Sequence, residues 1–272
     1  MATVAEWVYG DLNDPAVCEQ LLSEQDVLVH LAWHGVPLTG GSFAEGLESG
    51  LVPTLRLLDA ARRRPGLHIV FPSSGGTVYG DLGDRRHHLE NDRCQPTSPY
   101  AIQKLAAEGY IQCLCAGRAA SARILRVSTT YGWIATPGMQ QGFIGVALAA
   151  ALAGRPIRLI GDPENVRDFV HRDDVAAALL AAAVRPVELG RADVINIGSG
   201  VGTSVRDVLR LLEDELGTHL ETQQEHWETS RGLPGYAVLD IARAAELLGW
   251  TPQIALREGI RLSLRETQRA AA

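Results

Sequence analysis

The chain has 272 residues, 46% hydrophobic and 21% charged, which is enough apolar material for one large packed domain or two small ones and too much for disorder. Its longest apolar runs, such as Val175–Val184, are about ten residues, well short of the ~18 that span a bilayer. The formal net charge is −7, no basic stripe invites nucleic acid, and Met1–Glu6 shows no secretory pattern, so a soluble, cytoplasmic globular protein is expected, with neither nucleic acid nor membrane as partner.

Apolar runs bounded by turn residues alternate with helical periodicity, the pattern of a parallel sheet covered by helices. Val4–Tyr9 reads as a strand ended by Gly10-Asp11. Asp14-Pro15 opens a helix through Leu22, with Asp14 as N-cap and Pro15 at its first position. Asp26–Ala32 is the next strand and Glu45–Arg63 an amphipathic helix. His68–Pro72 is a third strand, leading into the turn Ser73-Ser74-Gly75-Gly76. Ser98–Ala116 is helical, Ala122–Val127 a strand and Gly142–Ala153 a helix. Val170–Ala183 is a helix preceded by a strand, Val194–Ile197 a late strand, and the pattern from Ser204 onward is mostly helical, ending in Ile254–Glu266. The expected fold is α/β, doubly wound.

Four cysteines (Cys18, Cys94, Cys113, Cys115) lack both a disulfide framework and a second pair at metal spacing, so buried or incidental thiols are expected and no metal site. His87-His88 falls in the polar run Asp84–Arg93 and reads as a solvated loop.

Lysine usage is unusual. The chain holds 24 arginines and one lysine, Lys104, so that position needs a compact ammonium that a guanidinium cannot replace. Lys104 follows Tyr100 by four residues in the expected helix, which puts both on one face about a turn apart. An ammonium beside a phenol favours the phenolate and makes a general base. Tyr-x-x-x-Lys alone is a weak signal, but with 6 tyrosines the lone lysine would fall at this spacing by chance in only about 2% of placements. A second signal is Phe71–Gly80, which leaves a predicted strand at its carboxyl end, where open α/β sheets bind ligands. A serine there can donate to and accept from a substrate oxygen, or it can merely cap a Gly-rich turn.

With these residues the chain resembles the extended short-chain dehydrogenases, the NAD-dependent nucleotide-sugar epimerases and dehydratases such as the UDP-glucose 4-epimerases. The resemblance runs nearly end to end. It implies a Rossmann-like sheet with a smaller C-terminal substrate lobe: residues 1–130 and about 166–198 in the dinucleotide-binding part, 131–165 and 199–272 in the substrate lobe. Ser74, Tyr100 and Lys104 match the catalytic triad. Gly10-Asp11-Leu12 is similar to the acidic pair beside adenine, and Asp26–Trp33 to the strand whose end (Leu31, Ala32, Trp33) contacts the cofactor ribose. Arg126–Gly132 is similar to the segment leading into the substrate lobe, with Thr129 where the family commonly has Asn. Gly161-Asp162, Arg167–Val170, Asp173–Val175, Asn196–Gly200 and Leu248–Pro252 match further family segments. The resemblance implies NAD as cofactor and a nucleotide sugar as ligand, its diphosphate held by Arg167 and Arg231.

Three departures matter. Many relatives carry the hydroxyl four residues before the tyrosine of the Val-Tyr-Gly turn, which here is Gly75; Ser74 is expected to take the role, with Thr77 as substitute. The 4,6-dehydratases place Asp-Glu directly after the hydroxyl residue, where this chain has Gly75-Gly76, which favours an epimerase or simple oxidoreductase. The family's opening strand and Gly-x-x-Gly-x-x-Gly loop, which cradles the pyrophosphate, is absent, as though roughly 50–60 residues were missing. Losing two or three charge-assisted hydrogen bonds at ~1.5–3 kcal/mol each implies weakened binding of NAD to this chain alone. A truncated scaffold or sugar-nucleotide-binding homologue, or a fragment, is the alternative to a working enzyme. Val4–Tyr9 is expected to close the gap by pairing with Val27–Leu31; otherwise that edge recruits a second copy or a partner chain.

Overall fold

The computed structural model describes residues 6–34, 43–133, 142–225 and 234–270, with side chains to residue 266. Helix α1 (Pro15–Leu22) starts as its sequence dictates, with the Asp14 carboxylate accepting the Ala16 N–H at 2.9 Å. Strand β1 is short (Val27–Val29). A long helical stretch follows as α2 (Phe43–Gly46), a π-helical turn (Leu47–Leu51) and α3 (Val52–Ala61). Pro53 has no N–H for the regular bonding pattern, and the wider turn just before it absorbs the interruption. Next come β2 (Leu67–Ser74), α4 (Pro99–Ala116), β3 (Ala120–Val127), β4 (Thr129–Tyr131), α5 (Phe143–Leu152), β5 (Ile157–Ile160), β6 (Val166–His171) and α6 (Arg172–Ala183). The chain continues through β7 (Ala192–Ile197), β8 (Gly202–Ser204), α7 (Val205–Leu216), β9 (Thr222–Glu225), β10 (Tyr236–Ala237), α8 (Ala242–Leu248) and α9 (Leu256–Ala270).

The principal sheet is parallel, in the order β1-β2-β3-β7. Its two faces are legible in the period-two pattern of its central strands. Leu67, Ile69 and Phe71 of β2 and Ala120, Ala122 and Ile124 of β3 pack under α1, α3 and α4. Val70, Leu125, Val127, Ile195 and Ile197 face α6, α8 and Trp250 on the other side. Every residue of β3 is buried, as a strand covered on both faces requires. A second sheet sets β6 between β10 and β4, with β8 antiparallel on β6, and β5 pairs with β9 in a third. Helices α5, α7 and α9 close a separate apolar cluster around Tyr131, Phe169 and Ile157.

Several elements differ from the sequence reading. Glu6–Tyr9 form no strand; Val4 and Ala5 lie outside the described residues. Trp7 and Tyr9, which an extended chain places on one side, are 79% and 90% exposed, so no buried face rewards pairing. The expected closure of the gap by Val4–Tyr9 is therefore incorrect over the described part: β1 pairs with β2 and, among the described residues, its other edge carries no strand. Strand β1 is also four residues shorter than Asp26–Ala32, because Leu31 and Ala32 already turn into solvent. Helix α6 begins at Arg172, not Val170, since the His171 side chain caps it and Val170 still pairs with Thr130. Strands β4, β5, β8, β9 and β10 were hidden by their brevity. His88, expected in a solvated loop, is 1% exposed and stacks on Tyr79 at 5.0 Å; its neighbour His87 is exposed.

Candidate active site

The hydroxyl residues gather where β2 ends. The Ser74 carbonyl accepts the N–H groups of Thr77 and Val78, at 3.2 and 3.0 Å, so the chain turns sharply and brings the Thr77 hydroxyl back to donate to Ser74 Oγ at 2.8 Å. Gly75 makes this turn possible. A Cβ there would stand 2.7 Å from the Arg126 carbonyl oxygen and 2.6 Å from Leu239, so no side chain fits. Gly76 is open, with only the Thr129 hydroxyl 3.8 Å from where its Cβ would lie.

Helix α4 delivers the other two groups. Ser98 caps it by accepting the Ala101 N–H at 3.3 Å, which sets Tyr100 in the first turn, close enough to Ser74 for the serine to act on the phenol. Burial raises the Tyr100 phenol above its ordinary value, and the bond to Ser74 pulls it partly back. Lys104 is 4% exposed. Its amine donates to the Pro72 carbonyl at 2.9 Å and lies 3.9 Å from the centre of the Trp33 ring, 4.7 Å from Phe71 and 6.0 Å from Tyr100. Burial pushes it down to about 7, against the opposing pull of Glu108. The lysine thus points into the site rather than bulk solvent, but it turns toward Pro72 and Trp33, and the Tyr100 phenol is governed by burial and Ser74.

The remaining candidates are spread more widely. Trp33 is half-buried, packed on the core beside Phe71; Leu31 and Ala32 before it are exposed. Asp11 is exposed and accepts the Asn13 N–H, while Leu12 packs on the core under α1. Arg167 is half-buried on β6; burial lowers it to about 10 although Asp81 draws it up, and no carboxylate lies within ion-pair distance of it among the described residues. Arg231 lies outside the described residues.

A buried polar network behind the site was missed. The Glu108 carboxylate takes Arg126 Nη2 at 2.7 Å and Arg126 Nε at 3.1 and 3.2 Å, and the Ser73 hydroxyl donates to it as well. Arg126 also donates to the Tyr79 phenol at 3.1 Å, and Tyr79 donates to Asn196 Oδ1 at 2.7 Å. The signal was available: Lys104 and Glu108 are the only charged residues in the 18-residue α4, one turn apart, and both are buried. Asp168, wholly buried, ties three segments together by accepting from Ser199 N, Ser199 Oγ, Gly200 N and Leu239 N at 2.7, 2.6, 3.2 and 3.3 Å. Gly198 is required beside it, because a Cβ would meet the carboxylate at 2.2 Å.

Comparison with known proteins decides the lineage. The profile of the NAD dependent epimerase/dehydratase family matches residues 1–198. The chain belongs to this family. It is 33% identical to the UDP-glucose 4-epimerase of Mycolicibacterium smegmatis over 210 residues, 77% of this chain and 65% of that one. Among solved structures of UDP-glucose 4-epimerases, that of Thermotoga maritima, with UDP-glucose, superposes with a TM-score of 0.87 at 27% identity, covering 97% of this chain and 84% of that one. That of Thermus thermophilus, in complex with NAD, gives 0.84 at 28% identity, covering 96% and 84%. The family's α/β sheet is the architecture seen here, as the sequence led one to expect. The expectation of weakened NAD binding finds no support in these comparisons.

Proposed function

We propose that this chain is an NAD-dependent nucleotide-sugar epimerase or closely related oxidoreductase. The observation that carries the reading is the placement of Ser74 and Tyr100 together at the carboxyl end of β2, with the chain's only lysine one helical turn behind the tyrosine. In this reading Tyr100 takes the proton from a sugar hydroxyl and returns it, while Ser74 hydrogen-bonds the same oxygen and fixes its direction. Bound NAD supplies a hydride acceptor and donor. The site's donors suit it: the Lys104 amine has three N–H groups and one protein acceptor among the described residues, leaving donors for ribose hydroxyls. Asp11, Leu12, Leu31, Ala32 and Trp33 are assigned to the cofactor side, and Thr77, Thr129 and Arg167 to the sugar nucleotide, with Arg231 as a second diphosphate ligand. The Arg167 guanidinium, with no carboxylate at ion-pair distance among the described residues, suits a diphosphate.

Epimerisation or simple oxidoreduction is favoured over dehydration by the turn itself. Gly75 has no room for a side chain, and Gly76, which has room, contributes no carboxylate. The test is to incubate the purified chain with NAD⁺ and UDP-glucose or UDP-galactose and follow interconversion by proton NMR. Tyr100→Phe should abolish turnover while leaving circular dichroism unchanged. A chain that interconverts neither of these nor, in a parallel incubation, dTDP-glucose, or a Tyr100→Phe variant that retains full activity, rules the reading out.

A further inference from the structure

Lys104 is held in an unusual way for a buried amine. Its single protein hydrogen bond is to a backbone carbonyl, and no carboxylate lies within ion-pair distance of it among the described residues. The ring nearest the nitrogen is the indole of Trp33, its centre 3.9 Å away, with the Phe71 ring beside it at 4.7 Å. An ammonium in a desolvated aromatic setting is attracted to the ring quadrupole, most strongly by tryptophan. Among the described residues the buried Nε1 of the indole has no hydrogen-bond partner, and its ring centre lies 5.9 Å from that of Phe71, tilted by 59°. Gly50 of the π-helical turn packs against this segment: a Cβ there would be in ordinary contact with Trp33 Cε2, at 3.5 Å, and tight against the His34 carbonyl oxygen, at 3.0 Å.

We propose that Trp33 is a positioning residue for Lys104: its indole face, in place of a carboxylate, holds the ammonium one helical turn from Tyr100. This goes beyond a cofactor contact and rests on the reading of those three residues as the reacting site. The charged and titratable groups around the amine are few. On α4 they are Tyr100, and Glu108, whose carboxylate is engaged by Arg126 from β3. On β2, Phe71 and Pro72 contribute none. Beyond β1, His30 bonds Thr54 of α3 at 2.9 Å and is pushed down to about 4 by burial and by Lys104, so it is neutral near pH 7. Apart from the Pro72 carbonyl and Glu108, the indole is then the nearest group favouring the cation.

The lone lysine makes a direct test possible. Protein produced with ε-¹⁵N-lysine carries one labelled side chain, whose nitrogen shift followed against pH reports the ionisation of Lys104 in the intact chain, whatever its activity. Trp33→Leu keeps the site apolar and removes the ring; the midpoint should fall by about one pH unit, with Trp33→Phe between it and the native chain. A midpoint that stays put or rises in Trp33→Leu overturns the proposal. Should Trp33→Leu fail to fold, Trp33→Phe decides by the same criterion. A native chain that turns over UDP-hexoses while Trp33→Leu leaves the midpoint unmoved refutes the positioning role and spares the functional reading. A native chain with no turnover but the expected shift does the reverse.

Discussion

Two buried cations stand a few side chains apart and are treated oppositely. Arg126 is answered in full, by the Glu108 carboxylate and the Tyr79 phenol, and these partners hold its guanidinium above the ordinary arginine range. Lys104 receives one carbonyl and an aromatic face, and burial brings it down to about 7. The difference separates a charge that organises structure from one kept available. Completing the first offsets its desolvation penalty; leaving the second incomplete leaves donors for a ligand and a proton equilibrium near neutrality. Glu108 joins the two, paired to one and a turn of helix from the other.

The contrast can be broken from either side. Glu108→Ala should cost the most, about 3–5 kcal/mol of stability by urea unfolding, because it strands Arg126 in the interior. Lys104→Met should act in the opposite sense, through pH. The lysine's folded value of about 7 lies below its ordinary 10.5, so between these values the unfolded chain binds the extra proton. Native stability therefore gains up to about 1.4 kcal/mol per pH unit from this group as pH rises from 7 toward 10.5, and the gain is absent below 7. Parallel unfolding curves at pH 7, 8 and 9 should show that slope in the native chain and its loss in Lys104→Met. Ser74→Ala removes the bond that draws the Tyr100 phenol down, so the tyrosine's titration, followed by ultraviolet difference absorbance, should move to higher pH. Thr77→Val should have the smallest effect, about 0.5–1.5 kcal/mol, since it deletes one neutral hydrogen bond to Ser74 in a half-buried turn.

The legible parts of the site share a feature: each is local. Ser98 and Pro99 begin α4, and four-residue spacing puts Tyr100 and Lys104 on one side of it, so the pair could be read without knowing what the helix packs on. The lysine count then marked the position. The same reading left out the amine's nearest ring: Lys104 Nζ lies 6.0 Å from the centre of the Tyr100 ring and 3.9 Å from that of Trp33, which follows β1 in the chain. Glu108 was equally local, but its meaning depends on Arg126 reaching it from a neighbouring strand.

The fold divides along the same line. Alternation in β2 and β3, the Asp14-Pro15 start of α1 and the apolar runs between turn residues are properties of short stretches, and by themselves they determine a doubly wound α/β sheet and most of its helices. Only the tertiary structure decides that Glu6–Tyr9 stay unpaired, that β4, β5, β8, β9 and β10 exist, and that Asp168 fastens Ser199, Gly200 and Leu239 together. A strand of two to four residues has too little pattern to be read, and what stabilises it is a ladder supplied by distant chain. A buried charge, likewise, is set by whichever group the crossing elements bring within reach: for Arg126 a carboxylate, for Lys104 a ring.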